Sequence, residues 1–169
     1  MIMIEEWFNI TRHSKKWRLL GYIYIGLPCG MIIDMRYSFP DIRDTLILFI
    51  FVWATDIGAY IVGTLCKGPK LMKHVSPNKT ISGAVGGLII TLFVGYIVDE
   101  YHLSYYTNLA IIISIAAQIG DLFESWVKRR FGVKDSGYFL PGHGGILDRM
   151  DGILVAAVAY FLVTYLWHA

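Results

Sequence analysis

The sequence predicts an all-α fold, a polytopic transmembrane bundle of about five helices. Three observations carry that expectation. Of 169 residues, 56% are hydrophobic and only 17% are charged, against about 25% charged and 45–50% apolar in a soluble domain. Mean hydropathy is +0.53. The apolar residues also come in continuous runs rather than in the period-two alternation of strands. So apolar a chain does not stay solvated as a disordered polymer, and a net charge of +2 is too small for general nucleic-acid binding. Cys29 and Cys66 each sit inside an apolar stretch and supply neither a disulfide framework nor zinc-ligand spacing.

A helix crossing a hydrocarbon core of about 30 Å needs roughly 20 apolar residues. The runs at 19–33, 45–65, 81–98, 107–127 and 153–167 come close to that length. Arg18 and Asp34 bound the first, and Asp56 interrupts the second. The third opens on the small-residue run Ser82-Gly83-Ala84-Val85-Gly86-Gly87. The fourth holds Asp121 and Glu124 in its last turns, and the fifth runs almost to the C-terminus. The segment Met1–Asn9 is expected to be an interfacial or frayed lead-in. It is not expected to be a cleavable signal, because no small-residue cleavage site is evident and further spans follow. Residues 1–169 read as a single membrane domain, with cytoplasmic loops at 66–80 and 128–152. All of the 15 Lys and Arg except Arg36 and Arg43 fall in the same set of alternate loops. The positive-inside rule therefore expects that end, with the N-terminus, in the cytoplasm.

Charges inside the spans are the informative residues, since a mid-membrane charge costs roughly 2.5–3.5 kcal/mol and usually faces a partner or a cavity. Trp53, Asp56 and Tyr60 share one helix face; Asp56 is expected either to pair with a neighbouring helix or to line a polar cavity. Asp121, Glu124 and Ser125 likewise share a face, about two turns inside the basic run Lys128-Arg129-Arg130. The densest chemistry lies between Lys128 and Asp151. There Gly137, Gly142, Gly144, Gly145 and Pro141 surround His143 and allow the backbone to turn tightly. Asp148, Arg149 and Asp151 stand at the entrance to the fifth helix. Two carboxylates three residues apart can share a hard cation such as magnesium, while Lys and Arg neutralise phosphate oxygens. The loop at 67–80 repeats the theme with Lys70, Lys73, His74, Ser76, Lys79 and Thr80, suited to a phosphate or an anionic lipid headgroup.

At these residues a family resemblance becomes visible. Ser125-Trp-Val-Lys128-Arg129, Lys134-Asp135 and His143-Gly144-Gly145-Ile-Leu-Asp148-Arg149-Met-Asp151 resemble the signature of the phosphatidate cytidylyltransferase (CDP-diacylglycerol synthase) family. Asp56-Ile-Gly-Ala-Tyr60, Ser76-Pro77-Asn78-Lys79-Thr80 and Gly120-Asp121-Leu122-Phe123-Glu124-Ser125 resemble its weaker blocks. Two departures stand out. Ile81-Ser82-Gly83 occupies the place of the family's Trp-Glu-Gly, and family members carry further apolar spans before the matched region. The chain resembles the C-terminal part of that architecture.

What the resemblance implies is attack of phosphatidic acid on the α-phosphate of CTP, giving CDP-diacylglycerol and pyrophosphate with Mg2+ present. A second, monovalent cation is left open. Asp121 and Asp148 are the implied metal ligands, with Asp151 a further ligand or a support for them. Lys134, Arg149 and Lys128 are candidates for the triphosphate, and Lys79 for either phosphate group. His143 is expected to orient a phosphate rather than act as a base, because a phosphate monoester is already ionised at pH 7. Ser76, Ser125, Gly144 and Gly145 join the implied substrate-binding set, and Asp56 the lipid-side cavity. A homodimer and a bacterial inner membrane, with the active site cytoplasmic, complete the picture. Three other readings stay open. A CDP-alcohol phosphatidyltransferase is one, since Asp148-Arg-Met-Asp151-Gly152 imitates the opening of that motif although its later aspartates are missing. An ion transporter using Asp56, Asp121 and Glu124 is another, and a catalytically inactive partner subunit the third.

Overall fold

The computed structural model describes residues 1–38, 42–99, 105–139 and 144–168. Among them five helices are long and apolar enough to cross a membrane: Lys15–Ser38, Ile42–Cys66, Ile81–Val98, Tyr105–Arg130 and Leu147–Leu166. Every expected span is present, and four of the five begin earlier than the apolar run. Helical hydrogen bonding continues into polar flanks until something stops it, so hydropathy under-reads helix length. The expected loop at 128–152 is shortened accordingly, because α6 (Tyr105–Arg130) takes its start and α7 (Leu147–His168) its end. Asp148, Arg149 and Asp151 are thus residues of the first helical turns of α7.

The first span is composite. Helix α2 (Lys15–Gly21) passes through a π-helical turn at Tyr22–Gly26 into α3 (Leu27–Ser38). It is followed by α4 (Ile42–Cys66) and α5 (Ile81–Val98). Consecutive spans alternate in direction, so the start of α2, the end of α4, the start of α5, the end of α6 and the start of α7 share one end of the bundle. All of the basic residues except Arg36 and Arg43 gather there. At the opposite end Asp99 closes α6. Its carboxylate accepts from the Thr107 hydroxyl at 2.8 Å and from the Tyr106 and Thr107 amides at 3.4 Å.

Two expectations change. Of the interfacial or frayed lead-in expected at Met1–Asn9, the frayed alternative is overturned: Ile2–Ile10 forms helix α1, and Trp7 is fully buried. The Trp7 indole donates to the Trp17 carbonyl at 2.6 Å and packs on the Tyr24 ring. A large aromatic with a satisfied N–H ties the segment down in a way that its local composition does not announce. The loop at 66–80 is also ordered. Strands β1 (Lys70–Met72) and β2 (Ser76–Thr80) pair antiparallel, with Lys70 opposite Thr80. This small hairpin is the one β element among the described residues. Thr80 then caps α5, its hydroxyl accepting from the Gly83 amide at 3.0 Å.

Packing follows side-chain size. One cluster joins α3, α4, α6 and α7 through Met35, Leu48, Phe51, Leu109, Ile113, Ala157 and Tyr160. A second joins α1, the π turn, α6 and α7 through Trp7, Ile25, Val127, Leu147 and Leu154. Helices α4 and α5 meet on small residues, as membrane helices do in the absence of a hydrophobic drive between them. A Cβ at Gly87 would lie 2.7 Å from the Thr55 carbonyl oxygen. Beside it the Thr55 and Thr91 hydroxyls share a buried bond of 2.8 Å between the two helices. Gly87→Val should therefore force α4 and α5 apart and destabilise the protein by about 1–3 kcal/mol or more. Thermal unfolding of the purified variant in detergent measures that loss.

Candidate functional site

The hairpin and the ends of four helices enclose a cavity of about 920 Å³. Sequence order brings its walls together from afar. Helix α4 contributes Asp56 and Tyr60, β2 contributes Lys79, α6 contributes Gln118 and Asp121, and α7 contributes Asp148, Arg149 and Asp151. The hairpin is held over this opening by the Arg129 guanidinium, which donates to the Val75 carbonyl at 3.3 Å. Lys79 on β2 reaches α6 and forms an ion pair with Asp121. The Ser125 hydroxyl, one turn further along, donates to Asp121 at 3.5 Å. Gln118 ties α6 to α5 through the Ala84 carbonyl at 3.3 Å.

A denser arrangement stands at the back of the cavity. The Lys128 ammonium lies 2.5 Å from Glu124 and 2.6 Å from Asp148, so a single cation serves carboxylates on two helices. Glu124 is 1% exposed. Asp148 also accepts from the Ser136 amide at 3.0 Å and from the Gly145 amide at 2.8 Å. Gly144 makes that turn possible. Its φ is +81°, in the left-handed region that favours glycine, and a Cβ there would stand 2.7 Å from an Asp148 oxygen. Asp151 turns back on its own helix, accepting from the Gly152 amide at 2.7 Å. Asp121, Glu124 and Lys79 are within electrostatic reach of it.

Not every sequence-expected residue converges here. Asp56, Lys79, Asp121, Asp148, Arg149 and Asp151 line one cavity. Lys128 and Ser125 touch its acids from behind, and Gly144 and Gly145 shape the turn that holds Asp148. Ser76 lies in β2, outside the cavity lining. Lys134 lines a different recess of about 590 Å³, between α1 and residues 132–139. His143 lies outside the described residues. The sequence reading missed Gln118 and Asn78 in the lining, and it missed Glu6, whose carboxylate accepts from the Leu147 amide at 2.7 Å. No spacing signals that last contact, because it joins the two ends of the chain.

Among the described residues no three His, Cys, Asp or Glu side chains converge closely enough to hold a metal unaided. Magnesium keeps several waters and is bound by one or two carboxylates plus substrate phosphate oxygens. Asp121 and Asp148 present hard oxygen donors to one cavity from different helices. A carboxylate offers about four acceptor sites; at Asp148 the Lys128 ammonium, the Gly145 amide and the Ser136 amide at both oxygens occupy them, so coordination there displaces one of these donors, whereas Asp121 keeps sites beyond its contacts with Lys79 and Ser125. Asp121 thus fits as a ligand of such an ion as it stands, and Asp148 once it gives up one of its present contacts.

A family model described as "Cytidylyltransferase family" matches residues 1–167. The chain belongs to the cytidylyltransferase family. Curated relatives agree. A protein of Brucella suis biovar 1 (strain 1330) named phosphatidate cytidylyltransferase is 41% identical over 167 residues, covering 96% of this chain and 60% of the relative. Proteins of the same name from Rickettsia prowazekii (strain Madrid E) and Rickettsia conorii (strain Malish 7) are 34% and 37% identical. Each match covers 95% of this chain and 75% of the relative. The chain thus spans 60% of the length of the Brucella protein. The match runs through α1 and all five spans, and the apolar helices make this family member an integral membrane protein.

Removing the shared cation tests the site's architecture. Lys128→Met keeps the stem but leaves Glu124 and Asp148 without their ammonium. Breaking a buried ion pair from one side costs about 3–5 kcal/mol. The midpoint of thermal unfolding should fall far more than for Lys67→Met at the cavity rim.

Proposed function

We propose that the protein transfers the cytidylyl group of CTP to phosphatidic acid, releasing pyrophosphate and forming CDP-diacylglycerol. The observation that carries this reading is the single cavity in which Lys79, Asp121, Asp148, Arg149 and Asp151 meet at the basic end of a membrane bundle. The names of the relatives support it. The lipid keeps its acyl chains in the bilayer while the nucleotide arrives from water, so a reaction between them needs a polar cavity at a membrane face. The basic residues at that face support a cytoplasmic orientation by the positive-inside rule, in keeping with a bacterial inner membrane.

In the reaction a phosphate oxygen of phosphatidic acid attacks the α-phosphorus of CTP. A new P–O bond forms, the α–β bridging bond breaks, and its electron pair leaves with pyrophosphate. Such transfers depend on positioning and on charge neutralisation more than on covalent chemistry. The nucleophile is already ionised, so no side chain has to remove a proton. Lys79 exchanges Asp121 for a phosphate oxygen as substrate enters, and Arg149, with Lys67 and Lys70, supplies further positive charge on the cavity wall. Asp56 lies on the α4 face shared with Trp53 and Tyr60, where it borders the lipid substrate's route. Lys128 holds Asp148 in place from behind, and the amides of Ser136 and Gly145 complete its orientation. Asp121 and Asp148 would hold Mg2+, with Asp151 a further oxygen donor. When bound, the ion neutralises charge on the reacting phosphates.

Purified protein in vesicles containing phosphatidic acid should incorporate label from [α-32P]CTP into lipid, and chelation of magnesium should abolish it. Absence of lipid product under all conditions would sink the assignment. Asp121→Asn should lower the rate by about 100-fold or more, since the charge that organises metal and phosphate is lost. Lys79→Met should raise the KM for a phosphate-bearing substrate as well as lower kcat.

A further inference from the structure

Glu6 lies on α1, yet its carboxylate serves α7. The residue is 5% exposed. It accepts from the Ile146 amide at 3.0 Å, the Leu147 amide at 2.7 Å and the Ser136 hydroxyl at 3.3 Å. Leu147 is the first residue of α7, where amides lack helical partners and a negative charge is favoured. The backbone comes close enough for this only because it carries glycine. A Cβ at Gly145 would stand 2.6 Å from a Glu6 oxygen, and one at Gly137 2.7 Å.

The same short stretches of backbone hold Asp148. Ser136 gives its amide to Asp148 and its hydroxyl to Glu6. Gly145 gives its amide to Asp148, and the next two amides go to Glu6. The two carboxylates therefore share the same two stretches of backbone, at Ser136 and at Gly145–Leu147. Helix α1 is itself anchored, because Trp7, the neighbour of Glu6, is buried and bonded to the Trp17 carbonyl.

We propose that Glu6 is a positioning residue for the site: by holding Ser136 and the Gly145–Leu147 turn, it keeps the Asp148 carboxylate aimed into the cavity. Its activity readout rests on the cytidylyl-transfer reading; its structural readout does not. Glu6→Gln preserves shape but turns an amide N–H toward a backbone donor.

The full chain in lipid nanodiscs carries the test, by hydrogen exchange and by steady-state kinetics with CTP and phosphatidic acid. Exchange in peptides spanning 136–147 should speed up about tenfold in Glu6→Gln, the loss expected of one charge-assisted hydrogen bond. Exchange in α4 and α5 should stay unchanged. The kcat should fall about tenfold with KM for CTP shifting less than about threefold, as for a group acting through orientation rather than substrate contact. Glu5→Gln, on the adjacent residue, should change neither readout. Unchanged exchange at 136–147, an equal rise throughout the protein, or an unaltered kcat would each overturn the proposal. If Glu6→Gln does not fold, Ser136→Ala removes one bond of the grip and should give a smaller change of the same pattern; wild-type behaviour in that variant overturns it too. A wild-type protein inactive toward CTP and phosphatidic acid counts against the proposed reaction, while the exchange result still decides what Glu6 does.

Discussion

A carboxylate removed from water needs a cation or several hydrogen-bond donors, and in a bundle with few charges those partners are scarce. Lys128 answers that need twice. It stands between Glu124 on its own helix and Asp148 on α7, and so fixes how α6 and α7 meet at the polar end of the bundle. The remaining features of the site follow from that contact. With Asp148 held, the Ser136 and Gly145 amides have a fixed acceptor, the Gly144 turn has a defined path, and α7 starts where Glu6 can close it.

The cavity divides its charges by accessibility. Lys128 is enclosed with its acids, whereas Lys79 and Asp121 pair at a more open position where each side chain is 30% exposed. An enclosed pair serves architecture, because exchanging its partner means crossing a dry interior. A half-exposed pair can give up its partner to an incoming phosphate. This difference separates the residues that hold the site from those suited to contact a nucleotide or a lipid headgroup.

Much of this was legible beforehand. Five apolar runs announce five helices because the bilayer sets their length, and the acids that interrupt them are costly enough to mark a cavity. Asp56 and Asp121 were readable on that ground alone, Asp148 and Asp151 from the dense loop ahead of the fifth apolar run, and the motif around Asp148 points to the family. Lys134 looked equivalent to Lys128 in sequence, since both are basic residues flanking the same motif. The helix end separates them: Lys128 is on the inward face of α6, one turn from Glu124, while Lys134 lies past the Gly132 turn and faces another recess.

Chain-local physics thus determined the fold class, the number of spans and the end of the bundle that carries the chemistry, because hydropathy, helical period and charge bias act over one or two turns. Tertiary structure alone decided the partners. The Lys79–Asp121 pair, the shared Lys128 and the reach of Glu6 to α7 join residues that are distant in sequence or separated by whole spans. Burial selects such contacts, since each donor and acceptor must be satisfied by whatever group packing brings alongside. No local pattern encodes which group that is, and for this reason a segment read as an interfacial or frayed lead-in proves to close the polar end of the bundle.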